Sequence, residues 1–74
     1  MSQAEAIEIA LKVLYNEIDI PEEDKIVCIY IEKIDEGYHL EFNSHIYMES
    51  EDLMYALVIA PIIVHPDGSH RFVF

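Results

Sequence analysis

Carboxylates are the chemically capable side chains this sequence supplies in quantity. Glu17, Asp19, Glu22, Glu23 and Asp24 crowd one stretch; Glu32, Asp35 and Glu36 form a second group, and Glu49, Glu51 and Asp52 a third. Such patches speed capture of a cationic partner by about ten- to a thousand-fold through Coulomb steering. The plainer use of the same residues is a solvated surface. Fifteen acidic against 4 basic residues, a formal net charge of -11, nevertheless exceeds what solubility needs. The histidines offer less. His65 and His70 flank the Pro66–Ser69 turn and are expected to face each other across a hairpin, but two imidazoles fall short of the roughly four ligands of a zinc site. His39 and His45 lie on or near another strand, with no sign that they converge. Cys28, the single cysteine, sits in the most apolar stretch, where a thiolate is disfavoured, so a Cys–His nucleophile is not expected. With only Gly37 and Gly68, there is no phosphate-binding glycine loop. The expectation is a protein without catalytic residues, metal or cofactor.

Aromatic side chains complete the inventory. Tyrosine adds contact area and a polar tip at little entropic cost, which favours it at interfaces. Tyr38 and Tyr47 are the candidate exposed anchors beside the acids; the other tyrosines read as core or core edge. The candidate partner-binding set is therefore Glu22, Glu23, Asp24, Glu32, Asp35, Glu36, Tyr38, Tyr47, Glu49, Glu51 and Asp52.

These residues need elements to hold them. Ser2 and Glu5 have capping-box spacing, and Ala4, Ile7, Leu11, Leu14 and Ile18 recur at helical steps, with Ile9 and Val13 widening the stripe. Glu8 and Lys12 can pair on the opposite side. The helix should fray near Asn16–Glu17, and Pro21 forbids its continuation. Lys25 to Ile34 is apolar on both faces and reads as a strand covered on both sides or central in a sheet. Asp35-Glu36-Gly37 is a turn with Gly37 at positive φ, after which Tyr38, Leu40 and Phe42 alternate with His39, Glu41 and Asn43 as a half-buried strand.

Beyond Ser44 the pattern leaves alternatives open. Ile46 to Met48 extends the strand or wraps over the core edge, and Glu49 to Asp52 is a polar turn. Leu53 to Ile59 is a strand or a short helical turn leading into one, with Pro61 interrupting it. Ile62 to Val64 and Arg71 to Phe74 form a hairpin around Pro66-Asp67-Gly68-Ser69, with Phe72 and Phe74 on one face. The sum is an α+β fold, an N-terminal helix packed on a roughly four-stranded antiparallel sheet in two layers. Its last strand, Phe72-Val73-Phe74, carries no charge to blunt an open edge and is a possible route to a homodimer.

At 74 residues the chain fits one domain, residues 1–74. With 53% hydrophobic and 26% charged residues it is not a disordered composition. A domain this small buries about 60% of its unfolded surface, which leaves little room for a deep active site beside a core. The charge argues against direct contact with nucleic acid or anionic membrane. No apolar run approaches the roughly 20 residues of a membrane span, and the opening Met-Ser-Gln-Ala-Glu-Ala lacks a signal peptide's basic stretch. A cytoplasmic protein of a bacterium or phage is the simplest reading.

One resemblance extends over nearly the whole chain. The helix Ala6-Ile7-Glu8-Ile9-Ala10-Leu11, the stretch Gly37-Tyr38-His39-Leu40-Glu41-Phe42-Asn43-Ser44, then Tyr47-Met48-Glu49, Ala60-Pro61-Ile62-Ile63-Val64 and Asp67-Gly68-Ser69 follow one another as in the YrhB-like, or "immunity protein thirty-five", family of bacterial polymorphic toxin systems. The resemblance implies a small neutralising protein that binds a toxin, with no catalytic residue of its own. With the charge, it points to a non-enzymatic inhibitor whose partner is another protein with a basic surface, a toxin or a nucleic-acid enzyme. The alternatives are a phage anti-defence protein that mimics nucleic acid and a small chaperone-like or oligomeric structural protein.

Overall fold

The computed structural model describes residues 1–74. Helix α1 spans Gln3–Glu17. Its start is fixed by the expected capping box: the Glu5 amide donates to the Ser2 hydroxyl at 3.1 Å, and the Ser2 amide to the Glu5 carboxylate at 3.0 Å. The fully buried row is Ala6, Ala10 and Leu14. Two alanines at this spacing let the helix axis lie close to whatever it packs on. Ile7, Leu11 and Ile18 flank the row on one side, Ile9 and Val13 on the other, all half-buried against the core. Ala4, expected in the stripe, is exposed, because it lies about 120° round the helix from the centre of the buried row. Ile18 is already extended, at φ -126° and ψ 131°, so the helix stops before Pro21.

The sheet is an antiparallel meander in the order β1-β2-β3-β4, formed by Ile26–Ile34, Gly37–Ser44, Ile62–Val64 and His70–Phe72. Alternation along β2 sends Tyr38, Leu40 and Phe42 to the helix side, where Ile26 of β1 and Ile62 and Val64 of β3 join them in the core. One helix over one four-stranded sheet is the two-layer α+β arrangement that the pattern predicts. The opposite face is not covered by α1. There Tyr30 meets His39 edge-to-face at 5.9 Å, and Ile63 is buried between its cross-strand partners His39 and Arg71.

Strand β1 corrects an expectation. It is an edge strand, not a central one, and Ile29 and Tyr30 are about half exposed. Its apolar character on both faces reflects a bulge. Cys28 pairs with Phe42 and Tyr30 with Glu41, so Ile29 is an extra residue that shifts the alternation. Inward positions run Ile26, Cys28 and then Ile31. The last strand is the other edge, but it is His70–Phe72, not the uncharged Phe72-Val73-Phe74 expected: Arg71 puts a charge on it, and Val73 and Phe74 lie beyond it.

Residues 45 to 61 correct the expectation: a helix takes the place of the strand extension and of the start of the polar turn, and of the readings for Leu53 to Ile59 only the short helical turn is found, with no strand after it. Helix α2 occupies His45–Ser50 and ends at Glu51, whose φ of 59° is left-handed. Leu53–Tyr55 forms one 3-10 turn, with the Asp52 carboxylate accepting from the Met54 amide at 3.0 Å. Ala56 to Pro61 belongs to no helix and no ladder.

The two glycines separate two backbone costs. Gly37 has φ +142°, and a Cβ there would stand 2.1 Å from the Val64 carbonyl oxygen; Gly68 has φ +89° and open space around it. Gly68→Ala should therefore cost only backbone strain, about 1–2 kcal/mol. Gly37→Ala adds a collision with β3 and should cost clearly more, about 3 kcal/mol or above. Urea denaturation of both variants measures the difference; equal losses would contradict the close approach of the β1–β2 turn to β3.

Candidate functional site

Two carboxylate groups that are distant in sequence meet at one end of the sheet. Because β1 begins where β2 ends (Ile26 pairs with Ser44), the α1–β1 connection and the α2 segment are neighbours. They enclose an open groove of about 520 Å³ with Asp19, Asp24 and Asp52 among its lining residues. Ile20, Pro21, Met54, Tyr55 and Leu57 supply the apolar lining. Glu22, Glu23, Glu49 and Glu51 are exposed on the same two segments. Eight of the 15 acidic residues thus lie in residues 17–25 and 44–60, and Lys25 is the single lysine or arginine there. Helix α1 adds to this field, since its negative C-terminal end carries Glu17 and no basic residue.

Asp24 is the exception among these acids. Its carboxylate accepts from the Ser44 hydroxyl, from the Ile46 amide at 3.0 Å and from the Lys25 amide at 2.7 Å. Burial pushes the carboxyl up; the Ser44, Ile46 and Lys25 hydrogen bonds, with His45 nearby, outweigh that and hold it below the usual carboxylate range. Ser44, fully buried, also accepts from the Tyr47 amide at 3.1 Å and so caps α2. Asp24 is therefore a pin between segments, which removes it from the pool of free surface charge. Asn43 adds a second tie, its amide oxygen accepting from the Leu57 amide at 2.9 Å.

The third carboxylate group is elsewhere. Glu32, Asp35 and Glu36 lie at the far end of β1, about 26 Å away by strand geometry. One of its three charges, that of Glu36, is answered by cationic groups. Glu36 takes a two-pronged ion pair from Arg71, at 2.9 Å from Nε and 2.6 Å to the second oxygen, and a His65 contact at 3.1 Å. Arg71 first, then His65, hold the Glu36 carboxyl down to about 2. Lys33 and Asp35 border a smaller cleft of about 190 Å³ beside this turn. The candidate set is thus divided between two ends of the molecule. Tyr38 belongs to the core at 8% exposure, not to the surface, because it shares the inward side of β2 with Leu40 and Phe42. Tyr47 is half-buried in α2.

The histidines also depart from expectation. Val64 pairs with His70, which puts His65 and His70 on opposite faces, not facing each other. His70 stands edge-to-face on Phe72 at 5.9 Å. His65 contacts Ser69 Oγ at 3.0 Å through Nδ1 and Glu36 through Nε2, so Ser69, His65 and Glu36 have the composition of a nucleophilic triad. The Ser69 hydroxyl, however, lies 2.6 Å from the Asp67 carboxylate, its proton acceptor, and so withholds its proton from His65. Neither groove includes Ser69 or His65. The group ties the β3–β4 turn to the β1–β2 turn. Sequence reasoning missed it because Glu36 is 29 residues from His65. Cys28 donates weakly to the Tyr30 carbonyl at 3.4 Å, and desolvation pushes its thiol up, away from nucleophilic use. No three His, Cys, Asp or Glu side chains are gathered to hold a metal ion, and no helix is long and apolar enough to cross a membrane.

Comparison with protein-family models, with curated proteins and with solved structures returned no match. The family resemblance rests on the sequence motifs alone.

Two measurements probe these ties. Glu36 is depressed in the folded state, so its stabilising contribution is complete above the ordinary carboxylate value of 4.5 and is lost as pH falls from there toward 2. The melting temperature of Glu36→Gln should consequently fall less than that of the parent over this window; parallel curves would refute the pairing. Ser44→Ala removes the α2 cap and should cost about 1–3 kcal/mol in urea denaturation, where an unchanged midpoint would contradict the pin.

Proposed function

We propose that this chain is a small acidic, non-enzymatic protein that binds and neutralises a partner protein with a basic surface, acting in the cytoplasm as an immunity-type inhibitor. The observation that carries the reading is the unbalanced end of the sheet: seven carboxylates besides the pinned Asp24, against Lys25, beside a groove with apolar lining. Fold stability does not call for this arrangement. Like charges in proximity, next to the negative end of α1, lower the stability of a domain that has little to spare. The opposite end, where Arg71 and His65 answer Glu36, supports the contrast: there, charge serves the fold. The apolar lining adds what charge alone lacks, because steering sets the encounter rate while buried apolar area sustains the complex. The resemblance to the YrhB-like immunity family agrees with this reading.

The test is affinity capture from the cells that make the protein, at about 50 and about 500 mM salt, with wild type and with Glu22, Glu23, Glu49 and Glu51 all changed to Lys. The expected result is a basic protein retained by wild type at low salt, released at high salt and not retained by the variant. Retention unaffected by charge reversal would overturn the proposal.

A further inference from the structure

One stretch of backbone beside the acidic groove is unpaired. Leu57 and Ile59 pack against the core while Val58 between them is 105% exposed, the period-two alternation of a strand. Yet this segment belongs to no ladder. The Leu57 amide is used by Asn43, but the amides of Val58, Ile59 and Ala60 donate to no group of the chain. In extended backbone, amides two residues apart share an edge, so those of Val58 and Ala60 face the same side. Leu53 and Met54, 78% and 91% exposed, stand just upstream on the same segment. The groove that holds Asp19 and Asp52 reaches this segment through Met54, Tyr55 and Leu57.

We propose that Val58–Ala60 is a strand-addition site, and that its occupant is an extended segment of the partner protein in which lysine or arginine alternates with aliphatic residues. Main-chain hydrogen bonds to Val58 and Ala60 supply register. The aliphatic side chains cover Leu53, Met54 and Val58, and the cationic ones reach Asp19 and Asp52. Charge selects this occupant over a second copy of the chain, since two molecules of net charge -11 would bring like acidic rims together. The inference deepens the proposed function and rests on it.

The full-length 15N-labelled protein is titrated with a blocked decapeptide of alternating lysine and valine. Two control peptides accompany it: alternating glutamate and valine, and the lysine–valine peptide N-methylated at alternate residues. Amide hydrogen exchange is read by NMR. The expected result is exchange at Val58 and Ala60 slowed at least about tenfold by the lysine–valine peptide alone. Val58→Pro, at a fully exposed side chain, should fold normally and lose the binding with one donor removed. Three results would overturn the inference: unperturbed amides, equal binding of the N-methylated peptide, or slowing that follows protein concentration without peptide, which would make a second copy the occupant. If the peptides fail while reversal of Glu22, Glu23, Glu49 and Glu51 still releases the native partner, the strand-addition site falls and the proposed function stands.

Discussion

The Asp24 carboxylate holds the acidic end of this molecule together. It joins the loop after α1 to the end of β2 through Ser44 and to the start of α2 through the Ile46 amide. The His45 amide adds a bond to the Lys25 carbonyl at 2.8 Å. Helix α2 starts from this joint, and Asn43, through the Leu57 amide, fixes the segment that follows the 3-10 turn. One buried hydroxyl and one carboxylate therefore join the two segments that border the groove. That a carboxylate does this within a crowd of carboxylates is physically coherent. Its hydrogen bonds outweigh its desolvation, whereas Glu22 and Glu23 beside it remain in solvent.

The two ends of the sheet use charge differently. At the β1–β2 turn, Glu36 gathers Arg71 and His65 and fastens the first hairpin to the last turn. At the other end the carboxylates have no such partners, the helix dipole adds to their field, and Leu53, Met54 and Val58 stand in water. Each of these is a local cost to folding. Conflicts of this kind are expected where a surface is shaped by something other than stability, and their concentration at one end is what separates that end from an ordinary solvated surface.

Much of the fold is legible in the sequence because it depends on local chemistry. Ser2 with Glu5 marks the helix start, Pro21 its limit, Gly37 the first hairpin and Pro66-Asp67-Gly68 the second. The burial of Tyr38 is legible too, from its alternation with Leu40 and Phe42; its candidacy as a surface anchor conflicts with that pattern. Other features are set by pairing and lie outside local pattern. The bulge at Ile29 depends on how β1 meets β2, and it makes an edge strand read as a central one. Helix α2 has six residues and poor helical propensity, and its one local sign is Ser44 as a cap. For the site, sequence shows three acidic groups, but only the register of β1 on β2 unites two of them and sends the third about 26 Å away. The pinning role of Asp24 is equally invisible, because its partner Ser44 is 20 residues distant.

The central claim is that the acidic end is arranged for a cationic partner at the expense of the free fold. Its most direct test is the melting temperature of the isolated protein, at low salt, with Glu17, Glu22, Glu49 and Glu51 all changed to Gln. Relief of uncompensated repulsion predicts a higher melting temperature than wild type, with the gap closing as salt is added. A lower melting temperature would mean that these carboxylates serve the fold itself, and would contradict the account.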